Sequence, residues 1–80
     1  MDFNFINVGF GSYVSASKVV AIVDAHSAPV KRLIQSAYEQ GVVIDATYGR
    51  KNRSVIVAES GHIVLSYLQQ ETISRRAEKK

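Results

Sequence analysis

The sequence contains no cysteine and only one proline. Without thiols, disulfide staples and thiolate zinc sites are excluded. No long apolar stretch is present either. The longest unbroken run is Val19-Val20-Ala21-Ile22-Val23, far short of the ~20 residues that a membrane-spanning helix needs. The start, Met1-Asp2-Phe3-Asn4, lacks the basic opening and apolar core of a signal peptide. A cytoplasmic location with no membrane partner is therefore expected. His26 and His62 stand far apart with no ligand-spaced neighbours, so no metal or cofactor site is expected, and no small-molecule ligand is suggested.

What is present amounts to one domain over residues 1–80. A chain this short buries only roughly 60–65% of its unfolded surface, and small scaffolds of that kind commonly need a staple. With disulfides and metal set aside, association with further copies is the expected one. Lysine and arginine number 10 against 7 aspartate and glutamate, a formal charge of +3. That balance permits a polyanionic partner without demanding one, so the placement of the cations matters more than their sum.

The pattern along the chain predicts an α+β fold, a small antiparallel sheet with one main amphipathic helix and a short C-terminal helix. Phe3 to Val8 reads as a strand ended by Gly9-Phe10-Gly11-Ser12, and Tyr13 to Val23 as a second strand rich in β-branched residues. A helix follows, capped by Ser27 or Ala28, with Pro29 in its first turn and Gly41 closing it. Val30, Leu33, Ile34, Ala37 and Tyr38 give it an unbroken apolar stripe. Residues 42–48, 54–58 and 62–68 then read as a three-stranded meander, with tips at 49–53 and 59–61. One helix covers one sheet face, assigned to Ile44, Ala46, Val55, Val57, Ile63 and Leu65. Val43, Ile56, Val64 and Leu68 make the opposite face too apolar for open solvent. A second covering layer is expected, most simply another subunit, with the N-terminal strand or C-terminal helix as the alternative. A short helix is expected near Glu71, with residues 73–80 as a mobile tail.

Catalytic signals are weak. No nucleophile elbow, phosphate loop or metal motif occurs. Gly9-Phe10-Gly11-Ser12-Tyr13-Val14 opens like a dinucleotide fingerprint but has Val14 where the third glycine belongs. Asp45 reads as a paired strand carboxylate, so no catalytic residue is expected and the protein reads as a non-enzyme. The cations say more. Arg50, Lys51 and Arg53 fall within four residues at a loop tip, with no acid between Asp45 and Glu59. Such a tip suits phosphates or groove edges, and equally suits a solvated loop. Lys31 and Arg32 lie in the first turns of the helix, where the dipole favours anions. Lys18 sits in the second strand among apolar neighbours, so its ammonium must reach water or an anion. The aromatics are scattered and form no stacking platform for single-stranded RNA.

Taken together, Phe5-Ile6-Asn7-Val8-Gly9 with Gly11, Val14-Ser15-Ala16, Ser27-Ala28-Pro29-Val30-Lys31-Arg32 with Ile34-Gln35, Asp45-Ala46-Thr47-Tyr48-Gly49-Arg50 and Gln70-Glu71-Thr72 have a specific order and spacing. In these stretches the sequence resembles the RemA family, the extracellular matrix regulatory protein A group of bacteria, from Phe5 to Ile73. The resemblance implies a sequence-directed, double-stranded-DNA-binding transcription regulator, activating biofilm matrix genes and associated with the nucleoid. It implies a fold akin to the LytTR DNA-binding domain and a closed homo-oligomeric ring, expected to hold eight subunits. Its DNA-contacting positions fall on Arg50, Lys51 and Lys18. Two of these are lysine where the family has arginine, which keeps the charge and loses the bidentate fork. The competing reading is an oligomeric scaffold whose basic tip binds an acidic protein partner.

Overall fold

A computed structural model describes residues 4–78. The proposed strand start at Phe3 and the tail cations Lys79 and Lys80 lie outside the described residues. The chain forms β1 (Phe5–Gly9), β2 (Ser12–Ser15), a 3₁₀ turn (Ala16–Lys18), β3 (Val19–Asp24), α1 (Ala28–Gln40), β4 (Val43–Asp45), β5 (Ser54–Ala58), β6 (Ile63–Ser66) and α2 (Gln70–Glu78). The α+β class and both helices agree with the sequence reading. The sheets are arranged differently.

The expected second strand, 13–23, is broken by Ala16-Ser17-Lys18 into two strands that serve different sheets. β2 pairs with β1 in an antiparallel hairpin, while β3 joins a four-stranded sheet of order β3-β5-β6-β4. The 42–58 portion of the expected meander is absent, because β4 pairs with β6 and runs parallel to it. Residues 46–53 therefore cross the end of β6 as a loop, and the expected hairpin tip at 49–53 is part of that crossover. Ala46 N–H donates to the Leu65 carbonyl and Arg53 N–H to the Ser66 carbonyl, which fastens the crossing at both ends.

The parallel register Val43↔Ile63 and Ile44↔Val64 also fixes which face each residue serves. Val43 joins Val55, Val57, Ile63 and Leu65 under α1, packed with Val30, Ile34 and Ala37. Ala46 belongs to the opposite layer with Ile56 and Val64. Ile44 shares the parity of Val64 and is half exposed. The assignment of Ile44 and Ala46 to the helix face is thus corrected: period-2 alternation separates two faces but does not say which of them a helix will cover. On α1 the buried stripe is narrower than expected, since Leu33 and Tyr38 remain exposed.

The second layer comes from the chain itself. Ile6 and Val8 of β1 and Ile73 of α2 are buried against Ile56, Val64 and Ala46. Ser66 Oγ donates to the Val8 carbonyl at 2.7 Å, and the Arg76 guanidinium donates to the Asn7 carbonyl at 2.7 Å. Full burial of such Val and Ile side chains contributes about 1.5–3 kcal/mol each. Residues 73–78, part of the stretch expected as a mobile tail, belong to α2, whose Ile73 is buried. What the layer leaves open is a groove of about 280 Å³ beside β4, lined by Val14, Val19, Ile44, Ile56 and Val64, with Lys18 and His62 among its polar neighbours.

Candidate nucleic-acid interface

The strand directions sort the cations. β3 runs toward Asp24, β5 starts at Ser54, β6 ends at Ser66 and β4 ends at Asp45, so these four termini share one end of the sheet. The β1–β2 turn, the start of α1 and the 46–53 crossover all lie at that end. It therefore carries Arg50, Lys51 and Arg53 from the crossover and Lys31 and Arg32 from the first turns of α1. All five are exposed. None makes an ion pair among the described residues.

Lys18 is elsewhere. It closes the 3₁₀ turn just before β3, not within a strand. Val19 is paired with Ala58, so Lys18 sits at the far end of β5 from Arg53, with a strand of about 13 Å between. Its ammonium contacts Glu59 Oε1 at 3.1 Å. Within one subunit the structure brings together five of the six candidate cations and leaves the sixth at the opposite end.

The acids at the cationic end are occupied locally. Asp45 Oδ1 accepts from Thr47 Oγ1 at 2.6 Å and Thr47 N–H at 2.9 Å, and these two bonds hold its carboxyl below the usual carboxylate range. The same turn starts the crossover. Asp24 Oδ1 accepts from the His26 N–H at 2.8 Å and contacts the His26 ring. The backbone bond first, and the ring second, lower its pKa. Glu71 faces Arg75. Each of these three carboxylates has a nearby partner of its own; Asp24 and Glu71 share a pocket with Arg53, but none of the five cations is within ion-pair distance of an acid among the described residues.

Three of the aromatics scattered along the sequence come together in the fold. Phe10, Tyr48 and Tyr67 are far apart in sequence, but the fold gathers them. Phe10 packs in tilted geometry on Tyr48 and on Tyr67, with ring centroids 5.0 Å and 4.8 Å away. The Arg50 guanidinium carbon sits 5.1 Å from the Phe10 centroid and 5.7 Å from that of Tyr67. Backbone geometry supports this cluster. Phe10 and Tyr48 both adopt left-handed φ of 53°, rare for aromatic residues. Gly9 is required because a Cβ there would stand 2.3 Å from Tyr67 Cε1. The glycines flanking Phe10 signal a special turn in the sequence; nothing in the pattern points to Tyr67 as its partner.

Among the described residues no group of three or more His, Cys, Asp or Glu could hold a metal. No described helix is long and apolar enough to cross a membrane. The geometry defines a small α+β protein with a cationic, aromatic-backed end. Residues 5–77 match the RemA-like family, described as extracellular matrix regulatory protein A-like, and the chain belongs to that family. A protein of Alkaliphilus metalliredigens is 56% identical over 80 residues, covering 100% of this chain and 86% of its own length. One from Heliobacterium modesticaldum is 55% identical over 76 residues, covering 95% and 84%. One from a Cyanothece strain is 55% identical over 76 residues, again covering 95% and 84%. All three are provisionally named regulatory proteins. These names point to regulation in place of catalysis.

Proposed function

We propose that this protein is a transcription regulator that binds double-stranded DNA in a sequence-directed way, acting as a homo-oligomer. The observation that carries the reading is the set of five exposed cations, free of acidic partners among the described residues, gathered at one end around Arg50. Clusters of this kind meet phosphate oxygens, and arginine adds a planar fork that fits phosphate or guanine. Family membership supports the same direction. Assembly is supported by the apolar groove beside Ile44, open next to the edge strand β4. In this reading the copies close into a ring, eight being the expected number, on a LytTR-like fold, and the targets include matrix genes that the protein activates.

The test is an anisotropy titration of fluorescent 30-bp genomic duplexes at two salt concentrations, run beside a mass measurement in solution. Wild-type protein binds, more weakly at higher salt. The Arg50→Ala, Lys51→Ala double variant loses on the order of tenfold or more in affinity, with unchanged mass and circular dichroism. A double variant that binds duplex like wild type rules out the crossover tip as the site. Poor competition by duplex DNA against an acidic protein favours the scaffold reading.

A further inference from the structure

We infer that Phe10 and Tyr67 are positioning residues for Arg50: their rings fix its guanidinium so that it grips a pair of acceptor atoms on the duplex, and Arg50 thereby differs in role from the other four cations. The inference rests on the DNA-binding reading above and assigns a division of labour within it.

A free arginine must surrender rotamer freedom when it binds, roughly 0.5–1.5 kcal/mol for an immobilised side chain, which converts to about two- to tenfold in affinity. A guanidinium already resting on ring faces has lost much of that freedom beforehand. Attraction to the ring faces uses none of its N–H donors, which stay available for an outside acceptor pair. Arg50 is placed in this way by Phe10 at 5.1 Å and Tyr67 at 5.7 Å. The support beneath it is itself built. Tyr48 also packs on Phe10, and a glycine at position 9 lets Tyr67 approach. Two aromatic residues hold left-handed backbone conformations within this one cluster. Such conformations are strained and persist where the surroundings enforce them. Lys51, Lys31, Arg32 and Arg53 have no comparable support and act as mobile charges in the phosphate field.

Two variants separate the ring's role from its bulk. Phe10→Leu keeps an apolar side chain and removes the π face; Phe10→Tyr restores the ring. In free, deuterated protein the Arg50 Nε–Hε signal is expected to be ring-current shifted in wild type and Phe10→Tyr, and to move toward the free-arginine position in Phe10→Leu. On a mixed-sequence 30-bp duplex, Phe10→Leu is expected to bind about three- to tenfold more weakly than wild type. Its slope of log K against log salt should be unchanged, because no charge has been removed. Phe10→Tyr binds like wild type. Lys51→Ala instead makes the slope shallower, by about 0.9 for each phosphate that is no longer neutralised. Replacing guanine by 7-deazaguanine, which lacks the N7 acceptor, shows whether the fork grips a base edge or a phosphate. Phe10→Leu binding with wild-type affinity, or an unshifted Arg50 signal in wild type, overturns the inference. Wild-type protein that ignores the duplex overturns it together with the DNA-binding reading. Wild-type binding with an indifferent Phe10→Leu overturns the inference alone.

Discussion

At the scale of single residues, Gly9 is the position with least freedom. Its φ of +114° is one that side chains rarely adopt, and an added Cβ would meet Tyr67 Cε1 at 2.3 Å. Gly9→Ala therefore combines backbone strain with a steric conflict against a ring packed under Phe10. A loss of about 2 kcal/mol or more in urea unfolding is expected, with Arg50 displaced as a consequence. Gly11 has open space around it and φ +75°, so Gly11→Ala carries only the backbone part and is expected to cost less. The two lowered carboxylates give a pH prediction. In the folded protein Asp24 and Asp45 both titrate below the ordinary aspartate value. A carboxylate lowered on folding adds stability that is complete above its unfolded pKa and is lost as pH falls through the folded one. Stability is thus expected to decline on acidification below about pH 4. Asp45→Asn should flatten that decline in urea midpoints recorded across the acid range. Both groups are largely open to solvent, so the effect is small.

At the scale of elements, α1 is the most legible part of the sequence, and its caps explain why. Ser27 Oγ accepts from the Val30 N–H at 3.3 Å, Pro29 occupies the first turn, and Gly41 closes the helix at φ 72°. Each is a local rule with a local cause, so sequence alone places both ends. Ser27→Ala is expected to cost about 0.5–2 kcal/mol in chemical denaturation, toward the low end because the bond is long. The strands are less legible, for non-local reasons. Val42 to Tyr48 reads like any strand, but its partner is β6 and not β5, and the Asp45–Thr47 turn that starts the crossover leaves no mark in the alternation. The break at Ala16-Ser17-Lys18 is hidden because β-branched residues resume at Val19 and the pattern looks continuous. For the candidate site, the cations of the crossover can be read from their clustering, and Lys31 and Arg32 from their helical position. The aromatic support of Arg50 cannot, since Phe10, Tyr48 and Tyr67 meet only once β1, the crossover and the end of β6 share one end of the sheet.

At the scale of the whole molecule, the separation of Lys18 from the other five cations sets a limit on what one copy can do. The crossover and the start of α1 present five positive charges. At a slope of about −0.9 per neutralised phosphate, that end of a single subunit cannot exceed a salt slope of about −4.5. Contacts from one such end remain weak, because four of its five exposed cations are solvated and mobile before binding. Several copies on one duplex change the arithmetic: after the first contact the rest are intramolecular, and affinity rises by roughly 10²–10⁴. Assembly and DNA binding are therefore expected to be coupled. Above the concentration at which the oligomer holds together, anisotropy titrations on a long duplex should give a slope steeper than −4.5. A variant with Ile44→Glu places a carboxylate in the apolar groove beside β4, where Ile44 is half exposed and not among the buried core residues. If that groove joins the copies, sedimentation should show a smaller species, with affinity lowered by the multivalent factor and the slope falling back within the single-copy limit. Tight binding by a protein that sediments as a monomer would show instead that one cationic end is sufficient.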